Sequence, residues 1–171
     1  MKKLKLVLLS CIVLAFINIH AYAQELPTVT VKSLNYKYIR SVYDTNAAQP
    51  VKLLERRAAS YDIKSDEFYE EDYENYFISF YLPRGQVLAT YDQDGKLLRT
   101  AERFKNVALP PVVRQSVVRR YPEWSIKKDI YVVNYNGEWD KVKKVYKVIL
   151  ENGDKRIRVK TDEQGEFIER E

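Results

Sequence analysis

Alternation with a period of two constrains this chain more than any other feature of its sequence. Arg156-Ile-Arg-Val-Lys-Thr161 sets Ile157, Val159 and Thr161 on one side and Arg156, Arg158 and Lys160 on the other. Successive side chains of an extended chain point to opposite faces, so such a segment is a strand with one buried face. Tyr76 to Leu82 does the same, with Ile78, Phe80 and Leu82 sharing a side. Val87 to Tyr91, Ile126 to Tyr135 and Val145 to Leu150 read as further strands. One polar face per strand predicts antiparallel sheet, half buried. The five glycines, Gly85, Gly95, Gly137, Gly153 and Gly165, all fall where turns are expected. Asp92-Gln-Asp-Gly95 and Asn152-Gly153-Asp154 read as hairpin turns.

Two segments have helical period instead. Pro50 to Tyr61 places Val51, Leu54, Ala58 and Tyr61 on one stripe, and Pro110 to Tyr121 does so with Val113, Val117 and Tyr121. Each opens on proline, whose missing N–H costs little in the first turn. Three-to-four spacing is what a helix needs to cover a sheet. The fold class expected is therefore α+β, with helices packed on antiparallel β-sheet.

The order helix, strands, helix, strands suggests an internal repeat. Shifting the chain by 70 residues lays 76–99 on 146–169 without a gap, matching Tyr76 with Tyr146, Asp92 with Asp162 and Gly95 with Gly165. Apolar positions follow: Ile78 with Val148, Phe80 with Leu150, Val87 with Ile157 and Leu97 with Phe167. The helices match at a shift of 60. The expected organisation is a strand or arm over 24–49, a first helix-plus-sheet repeat over 50–104 and a second over 105–171. One continuous domain over 24–171 is the alternative.

The pattern carries a resemblance. A proline-initiated helix ends in a Tyr-Pro step (Leu109-Pro-Pro-Val-Val to Arg120-Tyr-Pro122). Each half finishes in an Asp-x-x-Gly hairpin with an apolar strand, Asp92-Gln-Asp-Gly-Lys-Leu-Leu98 and Asp162-Glu-Gln-Gly-Glu-Phe-Ile168. In this the chain resembles the PepSY-like, beta-lactamase-inhibitor-like family of exported bacterial proteins, most clearly over 76–169. The resemblance implies helices laid on an antiparallel sheet, often in tandem, and a binding or inhibitory role rather than catalysis. It supplies no catalytic residues.

The N-terminus reads as an export signal. Lys2, Lys3 and Lys5 precede an apolar stretch from Leu6 to Ile19, and Ala21-Tyr22-Ala23 gives an A-x-A cleavage site before Gln24. The stretch falls short of the roughly 20 residues of a transmembrane helix. No comparable uncharged run follows, so no transmembrane segment is expected in the mature chain. Leu8-Leu9-Ser10-Cys11 has the form of a lipobox, but cleavage there would leave an unusually short apolar region, so lipidation of Cys11 is not expected. The protein is expected in the periplasm or outside the cell.

Cleavage also narrows the chemistry. It shortens the chain from 171 residues to 148 and removes the single Cys, His and Met (Cys11, His20 and Met1). Without them the mature chain forms no disulfide, no cysteine nucleophile, no Ser-His-Asp triad and no imidazole metal site. No glycine-rich phosphate loop occurs, and no cofactor or metal is expected. Losing three lysines lowers the net charge from +5 to +2. That balance does not indicate a nucleic-acid binder.

Three features remain as candidate partner sites. Asp66 to Glu74 holds six carboxylates and three aromatics. Within it Tyr69, Glu70, Glu71, Asp72 and Tyr73 could meet a basic partner or hold calcium, or could form a solvated edge guarded by charge. The run lacks the glycine of an EF-hand loop. Trp139, in Asn136-Gly-Glu-Trp-Asp140, lies in a turn where an exposed indole would suit an interface. Arg156, Arg158 and Lys160 form a basic face, continued by Lys141, Lys143, Lys144, Lys147 and Lys155, suited to acidic proteins or anionic glycans or simply solvated. Residues 24–99 carry a net −2 and residues 100–171 a net +4. The reading is an exported, non-catalytic binding module, inhibitor-like, meeting an envelope or extracellular protein. The alternative is a small-molecule, metal or envelope-glycan binding protein.

Overall fold

The computed structural model describes residues 35–169. The expected signal peptide over 1–23, and the expected arm up to residue 34, lie outside the described residues. The elements run α1 (Tyr36–Val42), α2 (Gln49–Ser60), a 3-10 turn (Ile63–Ser65), β1 (Asn75–Leu82), β2 (Gly85–Asp92), β3 (Leu97–Lys105), α3 (Pro111–Arg120), β4 (Ser125–Asn136), β5 (Lys141–Asn152) and β6 (Lys155–Thr161). The six strands form one sheet in sequence order, and every neighbouring pair is antiparallel. The fold is α+β. The two expected repeats share this sheet, because β3 of the first pairs with β4 of the second over Arg99–Lys105.

Alternation decides which face is buried. Val87, Ala89 and Tyr91 of β2, Phe104 of β3, Tyr131, Val133 and Tyr135 of β4, and Tyr146, Val148 and Leu150 of β5 form one core. The helices complete that core with Tyr38 and Val42 of α1, Val51, Leu54 and Ala58 of α2, and Val113 and Val117 of α3. Removing each such Val or Leu side chain from water stabilises the fold by about 1.5–3 kcal/mol. α2 has no side-chain cap and relies on Pro50 in its first turn. Its stability therefore comes from the face it buries.

Tyr36–Val42 corrects the expectation of a strand or arm before the first long helix. Its Tyr, Ile and Val content favours strands in isolation. As a helix, it instead brings Tyr38 and Val42, four residues apart, onto the core, both 1% exposed. The Tyr38 hydroxyl then donates to Glu102 Oε1 at 2.9 Å, across 64 residues of chain.

The 70-residue shift has a structural counterpart. Asp92 Oδ1 accepts from the Asp94 and Lys96 N–H groups, at 3.0 and 2.9 Å. Asp162 Oδ1 accepts from Gln164 and Glu166, at 3.0 and 2.8 Å. Gly95 and Gly165 close these turns at φ of 81° and 82°, a backbone region natural to glycine. After the first turn the chain continues as β3. After the second, Phe167 makes a bridge to Thr161 at the sheet edge.

Candidate functional site

Burying one face under helices leaves the other face of the same strands to be explained. Register places Phe77, Ser79 and Tyr81 of β1 there, opposite Thr90, Leu88 and Gln86 of β2. Phe77 is 80% exposed and Tyr81 61%, although both are large enough to anchor a core. Beyond them the face turns basic. It carries Arg99, Arg103 and Lys105 from β3, Lys128 from β4, Lys141, Lys143 and Lys147 from β5, and Arg156, Arg158 and Lys160 from β6. The strands set few carboxylates against these. Glu151 is engaged by Arg156 at 2.7 Å and Lys127 at 3.1 Å, and Asp92, at the end of β2, is taken up by its turn. Aliphatic residues, Ile130, Val132 and Ile149, lie among the cations. The buried stripes of α1 and α2 pack on the opposite face, and Arg120 at the end of α3 lines this one where it deepens toward β6.

Toward β6 the face deepens into an open groove of about 730 Å³. Ile130, Lys147 and Lys160 stand side by side on β4, β5 and β6, with Ile149 and Arg158 in the next row. Arg103, Arg120, Tyr121, Phe167 and Ile168 complete the walls, and Glu169 is the carboxylate among them. The Arg120 guanidinium lies 4.4 Å from the centre of the Phe167 ring. Arg103, Lys147, Arg158 and Lys160 enter no ion pair among the described residues.

The residues singled out from sequence occupy different places. Arg156, Arg158 and Lys160 lie on the open face, as alternation required. Lys144 does not join them. It faces the helices and pairs with Glu163 at 2.7 Å, its side chain 8% exposed. The acidic run precedes β1, at the opposite edge from β6. Two of its aromatics pack on β1: Tyr69 stacks on Tyr76 with centroids 5.4 Å apart, and Tyr73 meets the same ring edge-on at 6.2 Å. The Tyr76 hydroxyl donates to the Glu70 carbonyl, and Tyr61 donates to Asp66. Glu70, Glu71 and Asp72 remain exposed. Among the described residues no cluster of carboxylates has the form of a metal site. Trp139 is 69% exposed, in a turn whose backbone is fixed by Asn136 Oδ1, which accepts from the Glu138 and Trp139 N–H groups. The sheet places β2 and β3 between Trp139 and the acidic run.

Sequence reasoning missed two buried acids on the helix side. Glu102 and Glu55 are each 1% exposed. Glu102 Oε1 accepts from Tyr38 at 2.9 Å and from Thr100 Oγ1 at 2.7 Å, while Oε2 has no hydrogen-bond partner. Glu55 Oε1 is also unpartnered. Burial pushes Glu102 up to about 7, against the pull of the Thr100 and Tyr38 hydrogen bonds and of Lys144. Burial, then the Glu102 charge, pushes Glu55 up to about 9. Carboxyls of this kind can act in proton transfer. Here both are sealed under α2, out of reach of a substrate, and their effect is on the fold. Glu55 follows Leu54 directly and sits three residues before Ala58, so position alone placed it beside the buried stripe.

No protein-family model and no curated protein matches the chain. Among solved structures, a DUF2874 family protein from Bacteroides ovatus ATCC 8483 is similar at 15% identity. The match covers 58% of this chain and 70% of that one, with a TM-score of 0.36. A BLIP-like protein from Bacteroides fragilis NCTC 9343 is similar at 14% identity over 84% of this chain and 86% of that one, with a TM-score of 0.33. Both likenesses are of fold alone. Neither of the two is described as PepSY.

Proposed function

We propose that this is an exported, non-catalytic binding module, inhibitor-like in acting by contact, and that it docks an acidic protein surface on the open face of its sheet. One observation carries the reading: that face joins exposed Phe77 and Tyr81 to a field of cations largely without carboxylate partners. Aromatic and arginine side chains are the usual energetic anchors of protein interfaces. Lysine and arginine around them select an acidic partner and speed its approach. The export signal supplies the compartment in which such a partner is met.

The test uses the mature chain and a K141E/K143E/R156E/R158E variant as baits for envelope proteins. All four positions are exposed, so the variant should fold, which circular dichroism of the two baits checks. The native bait is expected to retain acidic proteins that elute with salt, and the variant to lose them. Identical retained sets on the two baits would refute docking at this face. Mass spectrometry of the exported protein should give an N-terminus at Gln24, and an uncleaved Met1 would refute export by this signal.

A further inference from the structure

The groove at the β4–β6 end has a pattern that a general acidic surface does not need. Its cations and aliphatics are ordered across the strands: Lys105 on β3, Ile130 on β4, Lys147 on β5 and Lys160 on β6 stand in one row, with Ile149 and Arg158 in the adjacent row and Arg103, opposite Val132, on the other side. Neighbouring strands lie about 4.8 Å apart, so β3 to β6 spans about 14 Å. A segment crossing them in extended form rises about 3.3 Å per residue and points every second side chain at the sheet. Its residues i, i+2 and i+4 then fall about 6.6 Å apart, covering about 13 Å, close to that span. The first falls over Lys105, with Arg103 two residues along the same strand, the second over the Ile130–Ile149 floor, and the third among Lys147, Arg158 and Lys160.

We infer that the groove receives an extended protein segment that presents a carboxylate at i, an aliphatic side chain at i+2 and a second carboxylate at i+4. This rests on the docking proposed above and names the element of the partner that seats there. Charge complementarity selects the acids, because Arg103, Lys147, Arg158 and Lys160 have no carboxylate of their own among the described residues. The floor selects the aliphatic, because Ile130 and Ile149 present only carbon between the cations. The chain's own acidic run does not meet this pattern. Its alternate residues Glu70, Asp72 and Glu74 are all acidic, with no aliphatic between.

Two labelled peptides of equal composition and charge make the test, read by fluorescence anisotropy with the mature chain at low salt. In one, Glu stands at i and i+4 with Leu at i+2. In the other, Glu stands at i and i+2 with Leu at i+4. All other positions are Ser or Thr. The first is expected to bind at least tenfold more tightly. The R158E/K160E variant should weaken it at least tenfold, and K141E/K143E, farther along the same face, less than twofold. Equal affinity for the two peptides, absence of binding by both, or equal loss in the two variants would overturn the inference. In each of those cases retention of acidic envelope proteins by the native bait leaves the docking face itself standing. Its failure there removes the docking reading as well.

Discussion

Raising the pH from 5 to 8 should weaken this fold, and the cause should be the carboxyl pair beneath α2. Glu55 and Glu102 both have folded values above the ordinary carboxyl value of 4.5, at about 9 and about 7. Their stabilising share is therefore fully present below 4.5 and is lost as pH rises through the folded values. The unfolded chain releases the Glu55 proton near 4.5 while the folded chain holds it to about 9. Across that window each pH unit costs about 1.4 kcal/mol, so Glu55 alone removes about 4 kcal/mol between pH 5 and 8. Glu102 adds a loss of the same sign that levels off above 7. Against a total stability of about 5–15 kcal/mol, that is a large fraction. The other charged groups near Glu55 are Asp44, which raises it further, and Lys52 and Lys144, which lower it. The perturbation is Glu55→Gln, which keeps the shape and cannot ionise in either state. Urea unfolding followed by circular dichroism, at intervals from pH 4.5 to 8.5, gives both curves. The native chain should lose stability steadily, and E55Q should lose about 4 kcal/mol less over the same range. A native curve that is level or rising from pH 5 to 8, or two parallel curves, would refute the reasoning.

Other substitutions probe the core, the turns and the candidate interface. Leu54→Ala, at a fully buried position of α2, should cost about 2–5 kcal/mol in chemical unfolding, and a loss under 1 would mean the helix is not anchored there. Gly165→Ala should cost more than Gly95→Ala although both have the same φ. A Cβ at 165 would come within 2.6 Å of Ser116 Oγ, whereas at 95 the nearest atom is 3.6 Å away. Equal melting temperatures for the two would contradict this. Trp139→Ala should change stability by less than about 0.5 kcal/mol, since the indole is exposed and the turn is held by Asn136. A larger loss would give Trp139 a structural role.

Much of this architecture was legible because sheets write their faces into sequence. Alternation in 76–82, 87–91, 126–135, 145–150 and 156–161 marked five strands and assigned Arg156, Arg158 and Lys160 to the outer face. What escaped did so where a polar residue occupies an inner position. β3 places Thr100, Glu102 and Phe104 inward, and a glutamate in mid-strand hides the period. Glu55 hides in the same way beside an apolar helical stripe. Glu102 is received by a distant element, through Tyr38 of α1, and a local pattern carries no record of that partner. Lys144 shows the complementary error. Grouped with its basic neighbours by composition, it directly follows Lys143 in a strand and so points to the opposite side of the sheet.

Concentrating cations on one face has a consequence for stability as well as binding. Lys147 and Lys160 stand directly opposite each other on β5 and β6, and like charges so placed repel. Near them Arg158 and Arg103 add to the same potential, and neither is held in an ion pair among the described residues. The repulsion acts through solvent, so added salt relieves it. The Debye length is about 10 Å at 0.1 M and about 3 Å at 1 M, shorter than the spacing between these strands. Salt should therefore raise the melting temperature at neutral pH. The same screening weakens an acidic partner's attraction to the same residues, so affinity should fall over the same range. Melting the mature chain at 0.05 and 0.5 M sodium chloride, and measuring retention of acidic proteins at both, sets the two trends side by side. R158E/K160E removes the repulsion at its source, so its melting temperature should respond less to salt than that of the native chain. If the two chains respond alike, the cations of this face are already neutralised, and the charge complementarity assigned to it falls with them.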